Sequence, residues 1–144
     1  MDTVIEQVET TAKLVAPSIG AEWQGGIYAG ILGGVDGQPD QHIIKAPIKI
    51  ELEGLTWQQA IEAGEAANIN GFFDWSLPDR RESRLIAINA PDGFSLYDHY
   101  WTSTQGTHDT DFAWLQDFNN GGQDYNHKLT KYRAFFVRRI LIIQ

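Results

Sequence analysis

The chain of 144 residues carries 11 basic and 19 acidic side chains, a formal net charge of −8 that repels nucleic-acid backbones and anionic membrane surfaces on average. It has 0 Cys, which excludes a disulfide framework and a thiolate zinc site, and no apolar run approaches the roughly 20 residues of a membrane span. An aromatic content of 12% with 5 Trp excludes disorder and predicts a single domain over residues 1–144.

Residues 2–16 predict a short helix with Val4, Ile5, Val8 and Leu14 on one side, although β-branched residues and three threonines favour helix only weakly. The start Met1-Asp2-Thr3-Val4-Ile5-Glu6 has neither the basic nor the apolar region of a secretory signal, so synthesis in a cytoplasm is expected, with the host cytoplasm or a virion as the destination. Trp23, flanked by Glu22 and Gln24, precedes the first strand and has no evident role in a pattern. Strands at 26–32 and 42–50 flank the turn-rich Gly33-Gly34-Val35-Asp36-Gly37-Gln38-Pro39-Asp40 and predict a long hairpin. Residues 1–53 thus form an N-terminal segment and hairpin ahead of a core at 54–144.

The core opens with a helix over Thr56 to Asn68. Thr56 and Gln59 spell a capping box, Trp57, Ala60, Ile61 and Ala67 make the buried stripe, and Gly71 lies just past the end. Pro78 keeps Leu77 extended, so the next helix starts at Asp79, which caps it with Glu82 three residues on. That helix runs over Arg80–Asn89, with Leu85, Ile86 and Ile88 on its apolar side.

Beyond it the pattern is β, at Tyr100–Ser103, Phe112–Phe118 and Arg133–Ile143. Phe112, Trp114, Gln116 and Phe118 share one face, and Ala113, Leu115 and Asp117 the other; neither is wholly polar, which predicts an interior strand. Asn119-Asn120-Gly121-Gly122 is a turn, and the last strand reads as one long buried run broken only by Arg138-Arg139. Residues 92–126 hold six acids (Asp92, Asp98, Asp109, Asp111, Asp117, Asp124) and no Lys or Arg, whereas 128–139 hold five bases (Lys128, Lys131, Arg133, Arg138, Arg139) and no acid. Two outcomes are open: cross-strand ion pairs, or a basic face that holds an anion.

Five short motifs follow one another through the core: Trp75-x-Leu77-Pro78 with Glu82, then Tyr100-Trp101-Thr102-Ser103-Thr104, then Ala113-Trp114 with Phe118, a loop Lys128, and Val137-Arg138-Arg139. In this order they resemble the C-terminal domain family of bacterial collagen-like adhesins, common also in phages and prophages, over roughly residues 54–141. The leading Trp23 to Gly30 segment is similar to the extension of phage-type members. The resemblance implies a compact α+β fold of the C-type-lectin-like or formylglycine-generating-enzyme-like kind. In it two helices pack on a mostly antiparallel sheet, first and last strands lie side by side, and the upper loops bind ligand. The formylglycine-generating chemistry needs Cys, which this chain lacks.

The loops 104–111 and 119–130 concentrate amides, hydroxyls, imidazoles and aromatics, as a polar ligand face requires and as ordinary loops also do. From them and the second helix, the candidate ligand-binding residues are Arg80, Gln105, His108, Asp111, Trp114, Asn120, Tyr125 and Lys128. Arg80 or Lys128 would take an anionic group, and Trp114 or Tyr125 a ring. Lys128 has a structural alternative, holding its loop against Asp124 or Asp117. Trp57, Trp75, Trp101 and Trp114 are expected in the core.

His108, Asp109 and Asp111 supply too few converging oxygens for calcium and no zinc spacing, Gln38-Pro39-Asp40 lacks the setting of a calcium–sugar site, and no nucleophile elbow or phosphate loop is present. Neither metal, cofactor nor enzymatic activity is therefore expected. The expected function is recognition of a glycan or cell-surface component. The alternative is a phage accessory protein that binds a host protein or sequesters a nucleotide signal to inhibit host defence. Partners are thus a glycan, a host protein or a small polar ligand, with homo-oligomers open and nucleic acid and membrane excluded by charge.

Overall fold

A computed structural model describes residues 14–143. The helix expected at residues 2–16 lies outside the described residues except for 14–16, which are not helical.

Gln24 and Gly25 both take positive φ (53° and 91°), making the two-residue primed turn whose twist matches the strands it joins, β1 (Glu22–Trp23) and β2 (Gly26–Leu32). β2 pairs through the expected long hairpin with β3 (Gln41–Lys45). The strand expected to reach residue 50 stops at Lys45, because Pro47 has no N–H for a ladder and a single 3₁₀ turn, Ile48–Ile50, follows. β4 (Leu52–Leu55) leads into α1 (Trp57–Glu65), where Thr56 caps the first turn and the Thr56–Gln59 box is complete. α1 ends earlier than expected, at an Ala66 cap. Gly71, with φ 82°, instead serves with Asn70 (φ 54°) a second primed turn in which Ile69 and Phe72 exchange both backbone hydrogen bonds.

α2 (Arg80–Asn89) matches its expected span, and Asp79 and Glu82 close its capping box. Its buried side differs from the apolar count: Glu82, Ser83 and Ile86 face inward, whereas Ile88 is 71% exposed. The remaining strands are β5 (His99–Gln105), β6 (Phe112–Asp117), β7 (Gln123–His127), β8 (Tyr132–Ala134) and β9 (Val137–Leu141). One sheet has the order β1-β2-β3-β9 and the other β4-β8-β5-β6-β7. Every pairing is antiparallel except β5 with β8, so the chain is an α+β domain with two helices and mostly antiparallel sheets. β6 is interior, as its two half-apolar faces predict.

Three expectations are corrected by this topology. The long closing strand is two strands in different sheets, because Phe135 and Phe136 turn the chain from one sheet to the other while each fills a different core. The segment 119–130 is not a loop throughout, since β7 occupies its middle. Among the described strands, the first and last lie at opposite edges of one sheet and are not neighbours.

One core gathers Tyr28, Ile44, Ala60, Trp75, Trp101, Leu115 and Phe136 under α1; the other gathers Ala29, Ile43, Ile86, Phe94, Tyr100, Phe118, Phe135 and Val137 under α2. Trp75 and Trp101 are core residues as expected, but Trp57 and Trp114 are only half-buried, each with a cation over its ring, Lys128 and Arg80 respectively. The motif charges hold the two halves together. Arg139 pairs with both oxygens of the buried Glu82 and donates to Ser76, while Arg138 pairs with Asp74 and donates to the Gln24 carbonyl. Of the two open outcomes, pairing of the 128–139 bases with the 92–126 acids occurs only for Arg133 with Asp98. Glu51, Glu53, Asp74 and Glu82 take the other arginine contacts, since the sheet switch carries β9 away from β6. No described helix is long and apolar enough to cross a membrane.

Candidate ligand-binding face

The register of β6 with β7 pairs Phe112 with His127, Trp114 with Tyr125 and Gln116 with Gln123, which puts these six side chains on one face of the sheet. α2 covers only part of that face. Phe118 packs with Ile86 in the core beneath the helix, and Gln116 is fully buried. The helix begins at Arg80, so the Trp114–Tyr125 row and the Phe112–His127 row extend past its first turn. There the rings form an edge-to-face ladder: Trp114 and Tyr125 have centroids 5.1 Å apart, and Phe112 sits 5.9 Å from Tyr125 and 5.6 Å from His127. Tyr125 remains 55% exposed.

Arg80 closes the upper edge of this ladder. Its guanidinium carbon stands 3.4 Å from the Trp114 ring centroid, its backbone N–H donates to Thr104 Oγ1 (3.1 Å), and its Nε donates to Gln123 Oε1 (3.0 Å). Arg84, one helical turn on, donates from Nη2 to the same oxygen (3.1 Å). Gln123 Nε2 donates to the Arg80 carbonyl (2.7 Å) and to Gln116 Oε1 (2.9 Å), and Gln116 donates to the carbonyls of Asp117 and Gly122. The buried Gln116 thus orients Gln123, which orients two arginines. Burial first, and the like charge of Arg84 second, hold the Arg80 pKa below the ordinary arginine value. Asp79, the helix cap, is pushed above the usual carboxylate value by burial and then by Glu82.

An open depression of about 340 Å³ lies here, lined by Asp79, Arg80, Arg81, Arg84, Thr104 and Gln123. None of its three arginines has a carboxylate within ion-pair distance among the described residues, although the protein is acidic overall.

Of the candidates drawn from sequence, the structure unites Arg80, Trp114 and Tyr125. Gln105 and Lys128 form a separate pair on the opposite face: Lys128 Nζ donates to Gln105 Oε1 (2.5 Å) and lies 4.2 Å from the Trp57 ring centroid. Lys128 does not hold its loop against Asp124 or Asp117; its partners are Gln105 and Trp57, because alternation along β7 turns it toward α1. His108 and Asp111 are exposed in the turn between β5 and β6. Asn120 is part of the β6–β7 turn, its Oδ1 accepting from Gly122 N–H (2.8 Å).

Arg84, Thr104 and Gln116 are not among the candidates drawn from sequence, and Gln123 lies in the 119–130 segment without being singled out there. The available signal was Arg80 and Arg84 at i and i+4, a like-charge pair that a helix does not favour by itself.

Other depressions also occur among the described residues. One, of about 550 Å³, lies beside the β1–β2 turn, where Trp23 packs edge-on against Tyr28 and His42 and Lys49 and Asn70 complete the rim. Another, of about 410 Å³, lies between Gly37–Asp40 and Leu141–Ile143. Among the described residues no three His, Asp or Glu side chains are grouped to hold a metal ion.

A search among curated proteins finds no match to the chain. A family model described as the Lcl C-terminal domain matches residues 36–138, from the β2–β3 turn to Arg138, and spans the whole Arg80–Trp114–Tyr125 face. With most of its length so matched, the chain belongs to the Lcl C-terminal domain family.

Proposed function

We propose that the protein is a non-enzymatic recognition domain that binds a glycan or another cell-surface component on the face built from Arg80, Trp114 and Tyr125, using an adhesin-like scaffold of lectin-like type. The observation that carries this reading is the ring ladder past the start of α2: a half-exposed tyrosine beside a tryptophan whose other side carries a guanidinium. Such a surface stacks on the apolar face of a sugar ring and offers charge-assisted hydrogen bonds to its substituents.

Family membership supports an adhesin-like role. The non-enzymatic reading draws on the side chains of the face itself. Thr104 Oγ1 accepts the Arg80 N–H and donates to no described base, and His127 Nδ1 accepts the Leu129 N–H, so the described contacts of the face pair no nucleophile with a base. A second reading, sequestration of a nucleotide-type signal inside a host cell, draws on the same three arginines.

The test is a glycan array probed with the wild-type domain and with Tyr125→Ala. Tyr125 is half-exposed and its ring contacts are with Trp114 and Phe112, so the variant should stay folded and melt only about 2–5 °C below wild type. Retention of one glycan class by wild type, lost in Tyr125→Ala, is the expected result. Equal retention by both proteins would overturn the assignment of the face.

A further inference from the structure

We infer that Arg80 and Arg84, converging on the shared Gln123 amide with Arg81 and Thr104 at the rim, form a subsite for a tetrahedral oxyanion, a phosphate or sulfate ester borne on a ring-containing ligand. The inference rests on the binding-face reading above and names the group that this face selects.

Two guanidiniums one helical turn apart repel each other. They separate into solvent unless something holds them, and here a single oxygen holds both. The holder is a neutral amide. Gln123 uses both lone pairs of Oε1 for the arginines and both Nε2 hydrogens for the Arg80 carbonyl and Gln116, so its capacity is filled and its orientation is determined. A carboxylate would have cancelled the charge it gathers; an amide gathers it and leaves it available.

The contrast with the other arginines is direct. Arg133, Arg138 and Arg139 each have at least one carboxylate at 3.0 Å or closer. Arg80, Arg81 and Arg84 have none among the described residues, and all three line one depression. The terminal nitrogens of Arg80 donate to no described acceptor, while Arg81 spends one nitrogen on the Gly33 carbonyl (2.7 Å), which fixes it at the rim.

Asp79 opposes an anion here. Its carboxylate, however, accepts the Glu82 N–H as the helix cap and lies in the field of Arg139, and the three guanidiniums outnumber it. Forked, planar donors around a concave site suit the oxygens of a tetrahedral anion better than a single carboxylate. The neighbouring Trp114–Tyr125 pair sets the ring that carries the ester.

The experiment is thermal melting and calorimetric titration of the purified domain with inorganic phosphate, inorganic sulfate, glucose 6-phosphate and glucose 6-sulfate, each against chloride at matched ionic strength. The wild type is expected to melt higher in the oxyanions, more so with the sugar esters, and the stronger of the two esters identifies the source. Gln123→Glu, which gives both guanidiniums a neutralising acceptor, should abolish the rise. Arg84→Gln removes an exposed side chain without touching Gln116, and should weaken titrated binding by about tenfold or more. Equal melting of wild type in phosphate, sulfate and chloride would overturn the subsite, as would a rise that persists in both variants. A glycan retained on the array through Tyr125, with no oxyanion effect, would overturn the subsite and leave the binding-face reading standing.

Discussion

Lys45 shows how one residue sets a pH dependence. It is buried, donates from Nζ to the Ala90 carbonyl (2.6 Å) at the end of α2, and lies 4.7 Å from the Phe94 ring centroid. Burial, opposed in part by Asp92, lowers its pKa from 10.5 to about 8. Between those two values the unfolded chain binds more protons at this site than the folded one, so the contribution of Lys45 to stability rises with pH. Tyr28 and Tyr100 work in the opposite sense. Burial raises both above the ordinary 10.0, so above that pH the unfolded chain sheds protons that the native state keeps, and stability falls. Urea midpoints for wild type and Lys45→Met should therefore diverge in favour of wild type as pH rises from about 8 toward 10. Parallel curves would show that Lys45 does not titrate in its buried position.

At the scale of elements, strand β7 is the edge of the larger sheet and also one half of the candidate face. The hydrogen bonds from Asp117 N–H to the Gly122 carbonyl and from Lys128 N–H to the Asp111 carbonyl fix the phase of the β6–β7 ladder, and in that phase the N–H groups of Tyr125 and His127 point outward. Both are taken locally, by Asp124 Oδ1 (2.8 Å) and Asn126 Oδ1 (2.7 Å). Such self-capping blunts an edge that would otherwise pair with another chain. The double variant Asp124→Ala/Asn126→Ala is expected to associate with rising concentration in sedimentation velocity, while wild type does so less; identical profiles would assign the two side chains no role at the edge.

The same strand shows where the sequence was legible and where it was not. Both capping boxes were readable, because a helix cap is a local hydrogen-bond pattern between residues three apart, and α2 fell where Asp79 and Glu82 placed it. Gln123-Asp124-Tyr125-Asn126-His127 carries no apolar alternation, since an edge strand with solvent near both faces needs none, and its sequence reads as a loop. The Phe135-Phe136 switch was hidden for the opposite reason: two adjacent aromatic residues feeding different cores look the same as one strand buried on both faces. Arg80, Trp114 and Tyr125 are among the candidates that composition offers. Their grouping, and the exclusion of Gln105 and Lys128 to the opposite face, depended on strand register, which no single stretch of chain encodes.

For the whole molecule, charge is divided by use. The net charge of −8 keeps the surface repulsive to polyanions in general. Arg138 and Arg139 are consumed in tying β9 to Asp74 and to the first turn of α2, and breaking a buried pair such as Arg139 with Glu82 by removing one partner costs about 3–5 kcal/mol. Among the described residues, the arginines left without a carboxylate partner are gathered at one place, the start of α2 over the β6–β7 rings. The most direct measurement is a two-dimensional amide and indole NMR titration of the domain with whichever glycan class the array retains. The account predicts shifts confined to Arg80, Thr104, the Trp114 indole, Gln123 and Tyr125, with the Trp23 and Trp57 indoles unmoved. Shifts centred on Trp23 and Asn70, or on Trp57 and Lys128, would contradict it.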